Sequence, residues 1–159
     1  MVERSDRTVD NAGVKLPPPL IWLILQLAGL SIDSAWFKLQ LASMAEMITG
    51  GLIVCLGLSF AVAAIPRHKK GGSNIEPWKP TTTVFTDGIY SRSRNPIYLA
   101  MLIGFAGIAI AAGSTVSLLF LVAFWAVLRF YVIALEERYL EAKFGAQYRD
   151  YRDTVRRWV

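Results

Sequence analysis

Long apolar runs alternate with short polar segments along this chain. The first run covers residues 20–32, the second covers 39–65 with Glu46 as its only charge, and the third covers 95–128 without any charge. A helix crosses the hydrocarbon core of a bilayer with about 20 apolar residues. The pattern therefore predicts an all-α integral membrane protein.

The third run is too long for a single span. As one helix it would extend about 50 Å, whereas the hydrocarbon core is about 30 Å thick. Gly113-Ser114-Thr115 is the natural turn. We therefore predict a third span over residues 96–112 and a fourth over 115–135. The first run is short, so it forms either a partial span or a tilted one extended by Trp36 and Phe37.

These spans divide one membrane domain, residues 1–159, into five parts. A polar tail (1–16), flexible or lying on the surface, precedes the first two spans (17–65). Pro66, a basic cluster and two glycines then end the second helix and open a cytoplasmic loop (66–95). The helical hairpin (96–135) leads into an amphipathic C-terminal helix (136–159), in which Gly145 is a candidate kink or break.

Composition and charge agree with a membrane protein. Hydrophobic residues make up 54% of the chain and charged residues 18%, which is too apolar for an ordinary soluble domain. The net charge is +5, but the basic residues flank apolar runs instead of alternating with aromatic residues, so nucleic acid is not an expected partner. Six Lys and Arg residues lie in the loop and six in the C-terminal helix, against Lys38 alone in the outer connections. This asymmetry predicts a multi-pass protein of the inner (cytoplasmic) membrane with both termini cytoplasmic.

Polar residues at both ends of the hairpin form the candidate site. Arg94 and Tyr98 lie at the start of the third span, and Glu136 and Glu137 follow the fourth. Folding back of the hairpin therefore brings all four residues to the same cytoplasmic level. Together they offer a cation for a carboxylate, carboxylates for an ammonium or sulfonium, and an aromatic face. Arg129 precedes the glutamates by seven and eight residues, on roughly the same helical face, which makes it a catalytic candidate or one partner of an internal salt bridge.

Other reactive side chains carry less information. The lone histidine, His68, has no further ligands at metal-binding spacing, so we predict no metal site and interpret His68 as structural or solvated. The single Cys55 lies in an apolar run, where a buried, inert thiol is expected.

Several motifs from Gly71 to Val159 resemble one family. They are Gly72-Ser73-Asn74 with Pro77, Thr86-Asp87-Gly88-Ile89-Tyr90, Arg94-Asn95-Pro96-Ile97-Tyr98-Leu99, Glu136-Glu137-Arg138-Tyr139-Leu140, and the Phe144-Gly145 to Trp158 tail. In this order and spacing they resemble the integral membrane methyltransferases that include isoprenylcysteine carboxyl methyltransferase and the phospholipid N-methyltransferases, in particular their bacterial members.

The resemblance implies S-adenosyl-L-methionine as the cofactor, bound at the cytoplasmic end of the last two spans under the loop and the tail. Its cofactor-binding residues would be Tyr90, Arg94, Asn95, Tyr98 and Leu99, and Glu136 and Glu137 would bind the cofactor or face a lipophilic acceptor. Three positions depart from the family pattern. Asn95 stands where the eukaryotic carboxyl methyltransferases have histidine, Ile89 replaces the usual proline before Tyr90, and Ser91 replaces a usual basic residue. The acceptor therefore stays open between an isoprenylcysteine-type carboxylate, a phospholipid amine and a thiol.

Two alternatives remain at this point. Membrane sterol reductases, which use NADPH, resemble the same C-terminal pattern, although their chains are usually longer. A small four-span transporter would use Glu46 as its intramembrane carboxylate. The sequence leaves the oligomeric state open.

Overall fold

The computed structural model of the protein describes residues 10–36, 42–72 and 74–159, and the regular structure in these ranges is helical. The α-helices are α1 (Pro18–Trp36), α2 (Met44–Lys70), α3 (Pro96–Ala111), α4 (Thr115–Val127), α5 (Ile133–Phe144) and α6 (Ala146–Thr154). A 3-10 helix (Gly88–Ser91) precedes α3, and a π-helical turn (Leu128–Val132) joins α4 to α5. The predicted all-α membrane fold is confirmed. Predictions that involve residues 1–9, Phe37 and Lys38 lie outside the described residues.

In the described part of the chain, three helical segments are long and apolar enough to cross a membrane: Pro18–Trp36, Met44–His68 and Thr115–Phe144. The fourth apolar helix, α3, has 16 residues and would extend about 24 Å. The hairpin turn lies at Gly113, which has a φ of 64° that suits a residue without a Cβ. Ser114 then caps α4 by accepting a hydrogen bond from the amide of Ser117.

The second helix is longer than predicted. Pro66 was expected to end it, but α2 passes through Pro66 and continues to Lys70. A proline removes one helical hydrogen-bond donor, here the partner of the Val62 carbonyl, and the Arg67 guanidinium donates to the carbonyl of the next residue, Ala63 (2.6 Å). The helix ends instead at the glycine pair, where Gly72 has a φ of 61°.

The C-terminal helix also differs from the prediction. A new element was expected from Glu136, but α4, the π-helical turn and α5 run on without a break to Phe144. No glycine or proline interrupts residues 128–144, so nothing in that stretch ends the helix. The chain breaks at Gly145, which has a φ of 55°, and α6 follows.

Small residues let the helices pack closely. A Cβ added at Gly50 of α2 would lie 2.5 Å from the carbonyl oxygen of Gly107 in α3, and one added at Gly29 of α1 would lie 2.6 Å from the Ser117 hydroxyl in α4. Helices in lipid commonly associate through such small residues, because their backbones can then approach closely. The antiparallel pairs α2 with α3 and α1 with α4 thus hold the bundle together.

The described part of the N-terminal tail is bound to the rest of the protein instead of lying free. Ala12 donates its amide to the carbonyl of Pro77 (3.1 Å), and Val14 is buried. The carboxylate of Asp10 accepts hydrogen bonds from Lys143 (2.7 and 2.8 Å), and these contacts lower the pKa of Asp10. The segment from Asp10 to Leu16 therefore ties the loop after α2 to α5.

Candidate functional site

A cavity opens at the end of the bundle where α2 ends, α3 begins and α5 follows; we call this the polar end. The cavity encloses about 770 Å³ together with the open space at its mouth. Its walls come from the loop after α2, the first turn of α3, α5 and α6. The lining includes His68, Asn74, Glu76, Phe85, Tyr90, Arg94, Asn95, Tyr98, Glu136, Glu137, Leu140, Tyr148 and Tyr151.

Glu137 is held between two arginines. Arg157 donates from Nε and Nη2 to its two carboxylate oxygens (2.8 and 2.7 Å), a bidentate pair that raises the pKa of Arg157. Arg94 approaches the same carboxylate with Nη1 at 3.3 Å, and the Arg94 side chain is only 9% exposed. Glu137 therefore joins the start of α3 to the C-terminal tail through α5.

Glu136 has a different partner. Its Oε2 accepts a hydrogen bond from the hydroxyl of Tyr98 (2.9 Å), and Tyr98 is buried in the first turn of α3. Among the described residues, Glu136 forms no ion pair. The two adjacent glutamates thus differ: Glu137 has two arginine partners, and Glu136 presents a carboxylate to the cavity without a counter-charge.

Asn95 and Ser93 fix the tail against the start of α3. The Asn95 side-chain amide donates to the carbonyl oxygen of Arg157 (3.0 Å), and the Ser93 hydroxyl lies 3.4 Å from the same oxygen. The amide of Arg94 also donates to the carbonyl of Arg156 (3.0 Å). Asn95 therefore contributes to the site by holding the tail in place as well as by lining the cavity.

Tyrosines of α6 close one side of the cavity. Tyr148 and Tyr151 are buried, with ring centroids 6.4 Å apart, and the Tyr151 hydroxyl donates to the carbonyl of Tyr90 (2.7 Å). Burial raises the pKa of Tyr148 to about 12 and also raises the pKa values of Tyr90 and Tyr151. All three phenols are therefore neutral at physiological pH.

The structure brings most of the predicted site residues together. Tyr90, Arg94, Asn95, Tyr98, Glu136 and Glu137 all line the cavity. Leu99 does not line it, although it is adjacent to Tyr98 on α3. The functional roles assigned to these residues stay predictions.

Arg129 lies away from the cavity. It is part of the π-helical turn, and its guanidinium lies 5.2 Å from the ring centroid of Phe130, which is 66% exposed. The described residues form no ion pair with it. A π turn accommodates an extra residue, which shifts the face of the helix by roughly 100° relative to a regular α-helix. The regular spacing that suggested a shared face with Glu136 therefore does not apply, and a catalytic role for Arg129 has no geometric support.

Glu46 has a structural partner. Its carboxylate accepts hydrogen bonds from both the amide and the hydroxyl of Ser43 (2.7 Å each), and its own amide donates to the Ser43 hydroxyl (3.2 Å). This reciprocal arrangement is a capping box at the start of α2, on an exposed part of the helix. The transporter hypothesis therefore loses the carboxylate on which it rested.

Sequence reasoning missed several contributors to the site, among them His68, Tyr148 and Arg157. His68 lines the cavity and bonds to the Tyr90 hydroxyl, although its isolation from other metal ligands made it look structural. Tyr148 lines the cavity from a helix whose apolar period predicted only packing. Arg157 pairs with Glu137 from the tail. Among the described residues, no three His, Cys, Asp or Glu side chains are grouped as metal ligands.

Comparison with known proteins identifies the family. The family model described as phospholipid methyltransferase matches residues 45–147, which include the loop, the hairpin and both glutamates. An uncharacterised protein of Haemophilus influenzae is 38% identical over 63 residues, which are 40% of this chain and all of that protein. No solved structure matches the chain. The family indicates a membrane methyltransferase. The match to the family model covers well over half of the chain, so the protein belongs to the phospholipid methyltransferase family.

Proposed function

We propose that the protein transfers a methyl group from S-adenosyl-L-methionine to a lipid acceptor in the cavity at its polar end. One observation carries the proposal: a buried arginine, a carboxylate without a counter-charge and several aromatic rings line a single cavity. These are the partners that the amino acid end and the flat ring of this cofactor require. The proposal agrees with the family of the chain.

The side chains fit the cofactor on physical grounds. Nη1 of Arg94 pairs with Glu137, but the buried Nε of Arg94 has no hydrogen-bond partner among the described residues. A buried donor without a partner is costly, so an anionic ligand group would be stabilised there. Arg94 would hold the carboxylate of the cofactor, and Glu136 would hold its ammonium group.

The bound cofactor supplies a methyl group that its sulfonium already activates. The protein needs to align two reactants, which alone contributes a large part of the rate in reactions of this type. The loop after α2 and the C-terminal tail cover the cavity, and Glu137 fixes both relative to α5. Arg94, Tyr98 and Glu136 then present fixed partners to whatever occupies the cavity.

The acceptor is a membrane lipid in this proposal, and the family name favours a phospholipid amine. An ammonium group must lose a proton before it can attack a methyl group, and Glu136 can accept that proton only where it does not also hold the ammonium of the cofactor. A carboxylate acceptor would need no base. Methylation that survives Glu136→Gln at saturating cofactor would therefore favour a carboxylate acceptor.

We also propose that the polar end faces the cytoplasm. The twelve Lys and Arg residues of segments 66–95 and 136–159 lie on the connections at this end, which the positive-inside rule assigns to the inner face of the membrane. Both termini would then be cytoplasmic in an inner-membrane protein.

Calorimetric titration of the detergent-purified protein with S-adenosylhomocysteine tests the proposal. Arg94→Ala and Glu136→Ala should each weaken binding by at least about tenfold, because each removes a charged partner of the ligand. Arg92→Ala is the matched control, since Arg92 is exposed and does not line the cavity. Unchanged binding in Arg94→Ala would refute its role, and binding of NADPH without any binding of S-adenosylhomocysteine would support the reductase alternative.

A further inference from the structure

Three aromatic rings meet on the wall of the cavity that is formed by the end of α2 and the loop after it. The ring centroids of His68 and Phe85 are 4.7 Å apart, those of His68 and Tyr90 5.7 Å, and those of Phe85 and Tyr90 5.8 Å. All three residues line the cavity. We call these three residues the ring cluster.

Both ring nitrogens of His68 have partners. Nδ1 lies 3.1 Å from the carbonyl oxygen of Asn74, and Nε2 lies 2.6 Å from the Tyr90 hydroxyl. A backbone carbonyl can only accept, so Nδ1 must carry a proton. In the neutral imidazole Nε2 is then an acceptor, and the Tyr90 hydroxyl donates its proton to it.

This arrangement leaves the phenolic oxygen of Tyr90 with lone pairs that no other group uses. The hydroxyl has a single proton, which His68 accepts, and the described residues form no other hydrogen bond with it. Donation to a nitrogen base also draws electron density onto the oxygen, because hydrogen bonds in a chain polarise one another. The ring cluster therefore offers a cation two aromatic faces and an electron-rich oxygen.

The charges around the ring cluster agree with a cation at this wall. Glu136 lies on α5 in the same cavity and acts on the Tyr90 phenol as a negative charge. The nearby cations are paired: Nε of Arg67 lies 3.6 Å from a carboxylate oxygen of Asp87, and Nη1 of Arg94 lies 3.3 Å from Glu137. A ligand cation on the cavity side therefore meets the phenolic oxygen and a carboxylate.

We propose that the ring cluster is a subsite for the sulfonium of the methyl donor, with the Tyr90 oxygen as its contact and His68 as the positioning residue that orients that oxygen. Cations bind well over aromatic faces, and C–H groups polarised by an adjacent positive charge make weak hydrogen bonds to oxygen. This inference rests on the proposed function, and it adds a role for two side chains beyond holding the amino acid end of the cofactor.

Comparing two ligands that differ at the sulfonium measures how much this group contributes to binding. S-adenosylmethionine and S-adenosylhomocysteine share the carboxylate, the ammonium and the adenine, and only the first carries the positive sulfur. A residue that binds a shared group affects the dissociation constants of both ligands equally. A residue that faces the sulfonium changes the ratio of the two constants.

The experiment measures both dissociation constants by calorimetry at about pH 8, where a histidine of ordinary pKa is neutral. Sinefungin, which has a charged amine in place of the sulfonium and cannot donate a methyl group, is a second cationic probe. Tyr90→Phe should weaken binding of both cationic ligands by about tenfold and that of S-adenosylhomocysteine by less than about twofold. Retained binding of S-adenosylhomocysteine shows in the same titration that the variant is folded.

Two substitutions of His68 separate orientation from packing. His68→Phe keeps a ring but neither hydrogen bond, so it should lower the affinity for the cationic ligands as Tyr90→Phe does. His68→Gln can still donate to the Asn74 carbonyl and accept from the Tyr90 hydroxyl. The ratio of the dissociation constants of S-adenosylmethionine and S-adenosylhomocysteine should therefore stay close to that of the wild type. Arg94→Ala, which removes the proposed partner of the shared carboxylate, should in contrast weaken both ligands by similar factors.

The results distinguish this inference from the proposed function. Equal weakening of S-adenosylmethionine and S-adenosylhomocysteine binding in Tyr90→Phe, or no change in either, would overturn the sulfonium subsite and leave the proposed function in place. Wild-type protein that binds none of these ligands would overturn the proposed function, and the subsite would fall with it.

Discussion

Replacing Glu137 by glutamine tests whether its carboxylate holds the site together. The substitution keeps the size of the side chain and removes one negative charge that faces Arg157 at 2.7 and 2.8 Å and Arg94 at 3.3 Å. Both arginines then lack a counter-charge. The tail should then be held less firmly on α5, while the hydrogen bonds from the Asn95 side chain and the Arg94 amide to the tail remain.

The magnitude follows from burial. Side-chain exposure is 9% for Arg94, 18% for Glu137 and 25% for Arg157, so water can screen the loss only in part. Removing one member of a buried ion pair costs about 3–5 kcal/mol, and we take the lower figure of about 3 kcal/mol because Arg157 is partly exposed. For a domain of this size that corresponds to a fall in Tm of roughly 6–12 °C.

Glu141→Gln is the matched control. Glu141 lies one turn later on α5 and pairs with Arg152 at 2.7 Å, but 38% and 36% of these side chains are exposed. A surface pair of this kind contributes less than about 1 kcal/mol, so the control should shift Tm by no more than roughly 4 °C. Thermal unfolding in detergent measures both variants. Equal shifts for Glu137→Gln and Glu141→Gln would refute the structural role of Glu137.

Three further perturbations test other parts of the structure. Gly50→Ala should lower Tm because its Cβ would lie 2.4 Å from a backbone nitrogen of α3, at an overpacking cost of about 1–3 kcal/mol. Gly51→Ala, whose Cβ meets nothing within 4 Å, should leave Tm unchanged or raise it. Glu46→Ala removes the side-chain acceptor of the capping box, so it should lower Tm and leave binding of S-adenosylhomocysteine unchanged, as paired melting and titration would show. The lowered pKa of Asp10 predicts that its contact with Lys143 is present at neutral pH and is lost as the pH falls below the ordinary carboxyl range, which an NMR titration of the segment can follow.

The hairpin was the part of the fold that the sequence determined best. An uncharged stretch longer than a bilayer must turn back, and Gly113 with Ser114 provides both a left-handed residue and a helix cap. Once the hairpin is closed, Arg94 and Tyr98 must lie level with Glu136. The polar side chains that meet in the cavity could thus be predicted, although Tyr98 and Arg94 lie 38 and 42 positions before Glu136 in the sequence.

The ring cluster could not be predicted in the same way. His68 meets Tyr90 only because α2 continues through Pro66, and a proline in a sequence normally marks a helix boundary. Likewise, the π-helical turn at Leu128–Val132 carries no sequence signature, yet it changes which residues share a face with Arg129. Both errors arose from departures from regular helix geometry.

Adjacent residues on a helix point about 100° apart, and the two glutamates use this difference. Glu136 faces Tyr98 on α3, whereas Glu137 faces Arg157 in the tail. The cavity is therefore complete only when α3 and the tail are docked on α5 together. A ligand that contacts Arg94 and Glu136 binds this docked state alone, so it must stabilise the tail as well as the hairpin. Protection of residues 146–159 from proteolysis should accordingly increase with ligand concentration, although the ligand need not touch Arg157.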